Sequence, residues 1–136
     1  MRNNPPFAPI PGSSIPDQKN ILVVDDSKQA ADAFAELLRA LGWRAKSVYS
    51  GEEARTYLMH RHADIVLLDI EMPKMDGYQL AALLRNDLHL SIPIIALTGY
   101  SDEEVVAKAL SAGCTALLVK PVGLKDLKKT IAAFLK

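Results

Sequence analysis

The sequence predicts an open α/β sandwich, a parallel sheet with helices on both faces. Two observations lead there. Short runs of branched apolar residues, foremost Ile21-Leu22-Val23-Val24 and Ile65-Val66-Leu67-Leu68, have the continuous hydrophobicity of strands buried on both sides. Between such runs lie stretches with apolar residues at helical spacing, so strand and helix signals alternate five times from Asn20 onward. The connections are then βαβ crossovers, which are right-handed in nearly all cases, and parallel strands finish on one edge of the sheet.

The elements follow in order. Strand 1 runs into Asp25 and Asp26, and Ser27 suits an N-cap for a helix whose face is Ala30, Phe34, Leu37, Leu38 and Leu41, ended by Gly42. Trp43 to Tyr49 is a more polar second strand, as an edge strand would be. Ser50, with Glu53 three places on, has the spacing of a capping box. Strand 3 runs into Asp69, followed by a loop with Pro73 and Gly77 and a helix with Leu80, Leu83 and Leu84 inward. Strand 4 is Ile92 to Leu97, with Pro93 tolerated at a strand start. Ser101 begins a helix bearing Val105, Val106, Ala109 and Leu110, closed by Gly113. Strand 5 is Thr115 to Val119, and Leu124, Leu127, Ile131 and Phe134 recur at 3-4-3 spacing along the last helix.

A chain of 136 residues is one domain by length, large enough to bury a core. Its first 19 residues hold five of the eight prolines and read as a flexible tail or linker, either a tether to another domain or a loose end. The folded domain is expected over 20–136. Sixteen basic residues balance sixteen acidic ones, so no global field draws nucleic acid or an anionic membrane. One cysteine, Cys114, precludes an internal disulfide and fits a reducing compartment. There is no apolar run near the roughly 20 residues that span a bilayer, and no secretion signal at the N-terminus. The expectation is a soluble, cytoplasmic domain.

Ligands of such sheets bind outside the carboxyl ends of the strands. The polar residues at those ends are Asp25, Asp26, Asp69, Thr98 and Lys120. Three carboxylates crowded on one rim repel unless a cation sits among them, and oxygen-only ligands suit a hard ion such as Mg²⁺. With a hydroxyl and an amine added, the set describes a device for a phosphoryl group.

The sequence resembles the receiver domains of two-component response regulators over roughly residues 20 to 136. The matching pieces are Val23-Val24-Asp25-Asp26-Ser27, Leu68-Asp69-Ile70-Glu71-Met72-Pro73-Lys74-Met75-Asp76-Gly77, Leu97-Thr98-Gly99 and Val119-Lys120-Pro121. The resemblance implies a flavodoxin-like sheet of order 2-1-3-4-5. It implies Asp69 as the phosphoacceptor, served by the histidine of a partner kinase or phosphotransfer protein. It further implies Mg²⁺ held by the side chains of Asp26 and Asp69, by Asp25 through water, and by the backbone carbonyl of Glu71. Thr98 would be the hydroxyl that moves to meet the phosphoryl group and Lys120 the amine that pairs with it, with a cis Lys120-Pro121 bond. No nucleic-acid or membrane contact is implied.

Two departures from the family pattern bear on output. Leu117 stands where many receivers carry a switching Tyr or Phe, so phosphorylation is expected to move the loop after strand 4 without burying a ring. Tyr100 is the nearest aromatic, either a substitute or an exposed loop residue. With helix 5 followed by the chain's end, no output domain is expected, which is most like receivers of hybrid sensor kinases or free-standing regulators. Two rivals differ in class. A haloacid-dehalogenase-like phosphatase needs a second acid two residues after its nucleophile, and position 27 is Ser. An unphosphorylated interaction scaffold would be favoured by loss of an acid or the lysine, and none is lost. His60, His62 and His89 read as solvated surface, Cys114 as a packing residue, and Lys125, Lys128 and Lys129 as a solvated basic edge.

Overall fold

A computed structural model describes residues 18–135. Five strands alternate with five helices: β1 (Asn20–Val24), α1 (Lys28–Ala40), β2 (Arg44–Val48), α2 (Gly51–His60), β3 (Ile65–Asp69), α3 (Gly77–Asn86), β4 (Ile94–Thr98), α4 (Glu103–Ala112), β5 (Ala116–Val119) and α5 (Leu124–Phe134). All four strand pairings are parallel, and the sheet order is β2-β1-β3-β4-β5. This is the fold and the order that the resemblance implies. Of the tail expected over residues 1–19, all but Gln18 and Lys19 lie outside the described residues. Those two flank the sheet: the Gln18 side chain donates to the Gly42 carbonyl, and the Lys19 carbonyl accepts from Arg44.

The alternation of side chains along a strand divides the core by residue parity. On one face Leu22, Val24, Val66, Leu68, Ile94 and Ala96 meet α2, α3 and α4 through residues such as Ala54, Leu80, Leu84 and Ala109. On the other, Ile21, Val23, Ile65, Leu67, Ile95 and Leu97 meet α1 and α5 through Ala31, Ala35, Leu38, Leu127 and Ile131. Every residue of β3 and β4 is buried, whereas the edge strand β5 is half-buried and ends on an exposed Val119. Burial of each such Leu, Ile or Val side chain is worth about 1.5–3 kcal/mol, so the central strands are the firmest place on which to mount a site.

Helix ends explain the boundaries. Ser27 caps α1 by accepting from the Ala30 amide, and Ser50 caps α2 by accepting from Glu53. The reciprocal bond from Glu53 goes one residue further back than a capping box requires, to the Tyr49 amide. The complete capping box is at α3, where Asp76 and Gln79 exchange side-chain and backbone bonds. Helix α4 departs from expectation: its N-cap is Asp102, one residue after Ser101, and no side chain caps it. Of the apolar residues that this helix bears, Leu110 is exposed and Ala109 is the one that faces the core. Leu124 and Phe134 of α5 are likewise exposed at either end of a contact made by Leu127 and Ile131. Cys114 packs in the core as expected, and burial pushes its thiol up to about 11. Among the described residues, no helix is long and apolar enough to cross a membrane.

Candidate functional site

Parallel pairing delivers the ends of β1, β3, β4 and β5 to one rim. Asp25 and Asp26 follow β1, Asp69 ends β3, Thr98 ends β4 and Lys120 follows β5. The structure brings the expected acids together: Asp25, Asp26 and Asp69 each offer a carboxylate oxygen, and these oxygens lie within 4.8 Å of one another. Asp25 and Asp69 are buried and Asp26 is exposed. Lys120 reaches over from the far strand, its Nζ donating to Asp69 Oδ1 at 2.8 Å. The peptide bond between Lys120 and Pro121 is cis, as the resemblance implies.

Backbone amides fix the two buried acids. Ser27 N donates to Asp25 Oδ1 at 2.9 Å, and Glu71 N donates to Asp69 Oδ1 at 3.2 Å. Burial and the neighbouring Asp69 carboxylate push the Asp25 carboxyl up to about 6, against the pull of the Ser27 amide and Lys120. For Lys120, burial acts downward, but the hydrogen bond and charge of Asp69 outweigh it, so the ammonium is held above its ordinary range. An amine is thereby kept charged beside a carboxylate, as charge neutralisation requires.

The loop after β3 is built close to Asp69. Gly77 N donates to the Ile70 carbonyl at 3.0 Å, and Ile70 N to the Leu97 carbonyl at 2.9 Å. A Cβ at Gly77 would stand 2.7 Å from the Asp69 carbonyl oxygen and 2.6 Å from Ile70 Cα, so only glycine lets α3 start there. Lys74 adopts a left-handed backbone (φ 64°) within this loop. Beside Asp26 a groove of about 840 Å³ opens between Tyr49, Gly51, Met72, Pro73 and Met75.

Thr98 stands apart from the acids in its bonding. Its side chain is buried, yet its hydroxyl donates to Glu71 Oε2 at 2.6 Å, and Gly99 N donates to Glu71 Oε1 at 3.0 Å. The expected part for Glu71 was its backbone carbonyl, and reading the sequence missed this use of its side chain. Nothing periodic marks a carboxylate that bridges two loops; the signal available was an acid two residues after Asp69, on the same rim as a hydroxyl. A second missed cluster lies between α1 and the end of β2, where Asp32 accepts from Ser47 Oγ (2.6 Å), Tyr49 OH (2.7 Å) and Lys28 Nζ (3.0 Å). Tyr100 is exposed, and Leu117 is half-buried against the core on the α3 and α4 side. His62 pairs with Asp64 at 2.9 Å on the surface, away from the acids.

Known proteins resemble this chain in sequence and in fold. The model of the response regulator receiver domain matches residues 21–132. The sensor histidine kinase RcsC of Escherichia coli strain K12 is 37% identical over 118 residues, which make up 87% of this chain and 12% of that kinase. The chain therefore spans a small part of that relative's length. The polar-differentiation response regulator DivK of Brucella ovis is 29% identical over 118 residues, 86% of this chain and 96% of DivK. Among solved structures, the chemotaxis protein CheY4 of Vibrio cholerae superposes with a TM-score of 0.81 at 26% identity, covering 86% of this chain and 98% of that one. Matched over residues 21–132 and folded in the same strand order, the chain belongs to the response regulator receiver domain family.

Proposed function

We propose that this domain accepts a phosphoryl group on Asp69 from a phosphohistidine of a partner kinase or histidine phosphotransfer protein. The Asp69 carboxylate attacks phosphorus, the phosphorus–nitrogen bond breaks, and the histidine leaves with the electron pair. The product is an acyl phosphate, a labile linkage suited to a reversible signal. Receivers of this family carry Mg²⁺ at an acidic pocket, and the donor set here fits a hard cation because it is made of oxygens alone. Asp26 and Asp69 would hold the ion by side chain, Asp25 through water and Glu71 by its carbonyl. When bound, the ion neutralises phosphoryl oxygens in the transition state.

The chain's own residues do the rest. Lys120 supplies a fixed positive charge, the Ser27 and Glu71 amides orient the acids, and Thr98 offers a hydroxyl to a phosphoryl oxygen. The role is that of a signalling phosphoacceptor that assists its own phosphorylation and dephosphorylation, not of an enzyme turning over a substrate. Similarity to both a sensor histidine kinase and a response regulator fits a receiver of a hybrid kinase or a free-standing one. Residues 1–19 would be its linker.

The observation that carries this reading is the Lys120 ammonium 2.8 Å from an Asp69 oxygen within a cluster of three acids. Intact mass after treatment with Mg²⁺ and acetyl phosphate tests it. A gain of roughly 80 Da, one phosphoryl unit on the nucleophile, is expected in the wild type and none in Asp69→Asn. A gain retained by Asp69→Asn overturns the site, and no gain in the wild type favours an unphosphorylated scaffold.

A further inference from the structure

Thr98 and Gly99 have each committed their one available donor. The hydroxyl proton of Thr98 is given to Glu71 Oε2 at 2.6 Å, while the hydroxyl oxygen accepts from Tyr100 N at 3.1 Å. The Gly99 amide is given to Glu71 Oε1 at 3.0 Å. One carboxylate thus takes, with its two oxygens, two adjacent donors at the end of β4. A bond to a charged acceptor is about twice as strong as one between neutral groups, and this one is short. Thr98 is fully buried with Glu71 in place, whereas Glu71 itself is exposed, so the carboxylate can swing out into water when it releases the hydroxyl. Among the described residues, no other side chain from outside the segment bonds residues 98–102, and the helix that follows has no side-chain cap.

We propose that the Glu71 carboxylate is an internal competitor for the phosphoryl group: it holds the Thr98 hydroxyl and the Gly99 amide in the unphosphorylated domain, and must be displaced before they can serve a group on Asp69. This rests on the phosphoacceptor reading of Asp69 and adds a regulator to it. Both occupants are anionic oxygens, so the exchange replaces one charge-assisted acceptor with another and stays reversible. The cost of release lowers the fraction of molecules ready to bind, and apparent affinity falls by that fraction. Glu71 is therefore a positioning residue. Its backbone carbonyl is untouched by side-chain substitution, which separates its two parts.

Affinity for beryllofluoride, an anionic mimic of the phosphoryl group, measured at saturating Mg²⁺ reads the latch directly. Glu71→Ala should bind on the order of tenfold more tightly than wild type, as loss of two bonds to a charged acceptor implies. Glu71→Gln, which keeps an acceptor oxygen without the charge, should gain less. Removing a negative charge alone could also favour an anion, so each variant is repeated in a Thr98→Ala background. There the competitor has lost its main hold, and the gain should fall to about twofold or less. An equal gain in both backgrounds, no gain, or weaker binding by Glu71→Ala overturns the latch while leaving Asp69 as the acceptor. Failure of the wild type to bind beryllofluoride overturns both readings together. In the absence of any ligand, Glu71→Ala should also shift the Gly99 amide proton resonance. An unmoved resonance denies the hydrogen bond itself.

Discussion

Asp25 and Asp69, at the ends of β1 and β3, accept backbone amides from the residues two places on; Thr98, at the end of β4, accepts the Tyr100 amide in the same way, but its hydroxyl proton is held by the side chain of Glu71. The same contrast continues into the helices. α3, which follows the acids' loop, has a full capping box, and α4, which follows Thr98, has no side-chain cap. A backbone amide cannot swing away without unfolding its turn, but a glutamate can change rotamer at small cost. One half of the rim is thus set before any reaction, as a nucleophile and metal ligands must be. The other half is held by a contact that can be exchanged, as a responding element must be.

The contrast breaks most sharply at the two ends of the site. Asp26→Ala should abolish Mg²⁺-dependent phosphorylation, while Thr98→Ala should slow it and leave Mg²⁺ binding intact. Mass spectrometry over a time course, with fluorescence or calorimetric titration of Mg²⁺, distinguishes them. Full activity in Asp26→Ala would deny the fixed half its function.

Next in size is Arg85, which lashes α3 to the approaches of β4 and β5. It donates to the carbonyls of Gly113 (3.0 Å), Leu90 (2.9 Å) and Ile92 (2.7 Å). Arg85→Ala leaves those carbonyls unpaired and should lower stability by about 2–4 kcal/mol in urea denaturation. A loss under about 1 kcal/mol would show that water replaces the guanidinium at little cost.

The acids also predict a pH dependence for the metal-free domain. Asp25 is raised from 3.8 to about 6 by burial and by Asp69, so the native state binds its proton more tightly than the unfolded chain does. Its contribution to stability is complete below pH 3.8 and is lost as pH rises through about 6. In EDTA, Asp25→Asn should flatten that fall and be more stable than wild type at pH 7, by up to about 3 kcal/mol at roughly 1.4 kcal/mol per pKa unit. Parallel stability–pH curves for the two proteins would remove Asp25 as the source. Smallest is the pair of caps. Asp76→Ala should cost about 1 kcal/mol and Asp102→Ala close to nothing, since only Asp76 makes a side-chain cap bond.

Legibility in the sequence follows the same division. The strands with continuous apolar runs, their alternation with helices and the five polar strand ends could all be read from order and periodicity, because parallel topology alone carries them to one rim. The exposed Leu110, Leu124 and Phe134 could not be read so. Apolar spacing marks a helical face, yet the width of that face in contact depends on what lies beneath, and α4 and α5 overhang the half-covered edge strand β5. The Asp76–Gln79 box had the residue types for recognition but sat within a motif already assigned to chemistry. The Glu71 latch depends on two loops meeting across the sheet, which no local pattern encodes.

Gly77 has a broader consequence. Positive φ is the usual reason to require glycine, but here it belongs to Lys74, and at Gly77 the requirement is one of clearance. With under 3 Å between an added carbon and the carbonyl of Asp69, the first turn of α3 and the nucleophile's own backbone have no slack between them. Mechanically they are one part. A push on α3 from a docked partner would arrive at Asp69 as a displacement of the reacting group itself, so this helix transmits force inward to the chemistry. The segment after Thr98, tied by the Glu71 side chain and leading into a helix without a side-chain cap, is the part of the rim free to carry news of the chemistry outward.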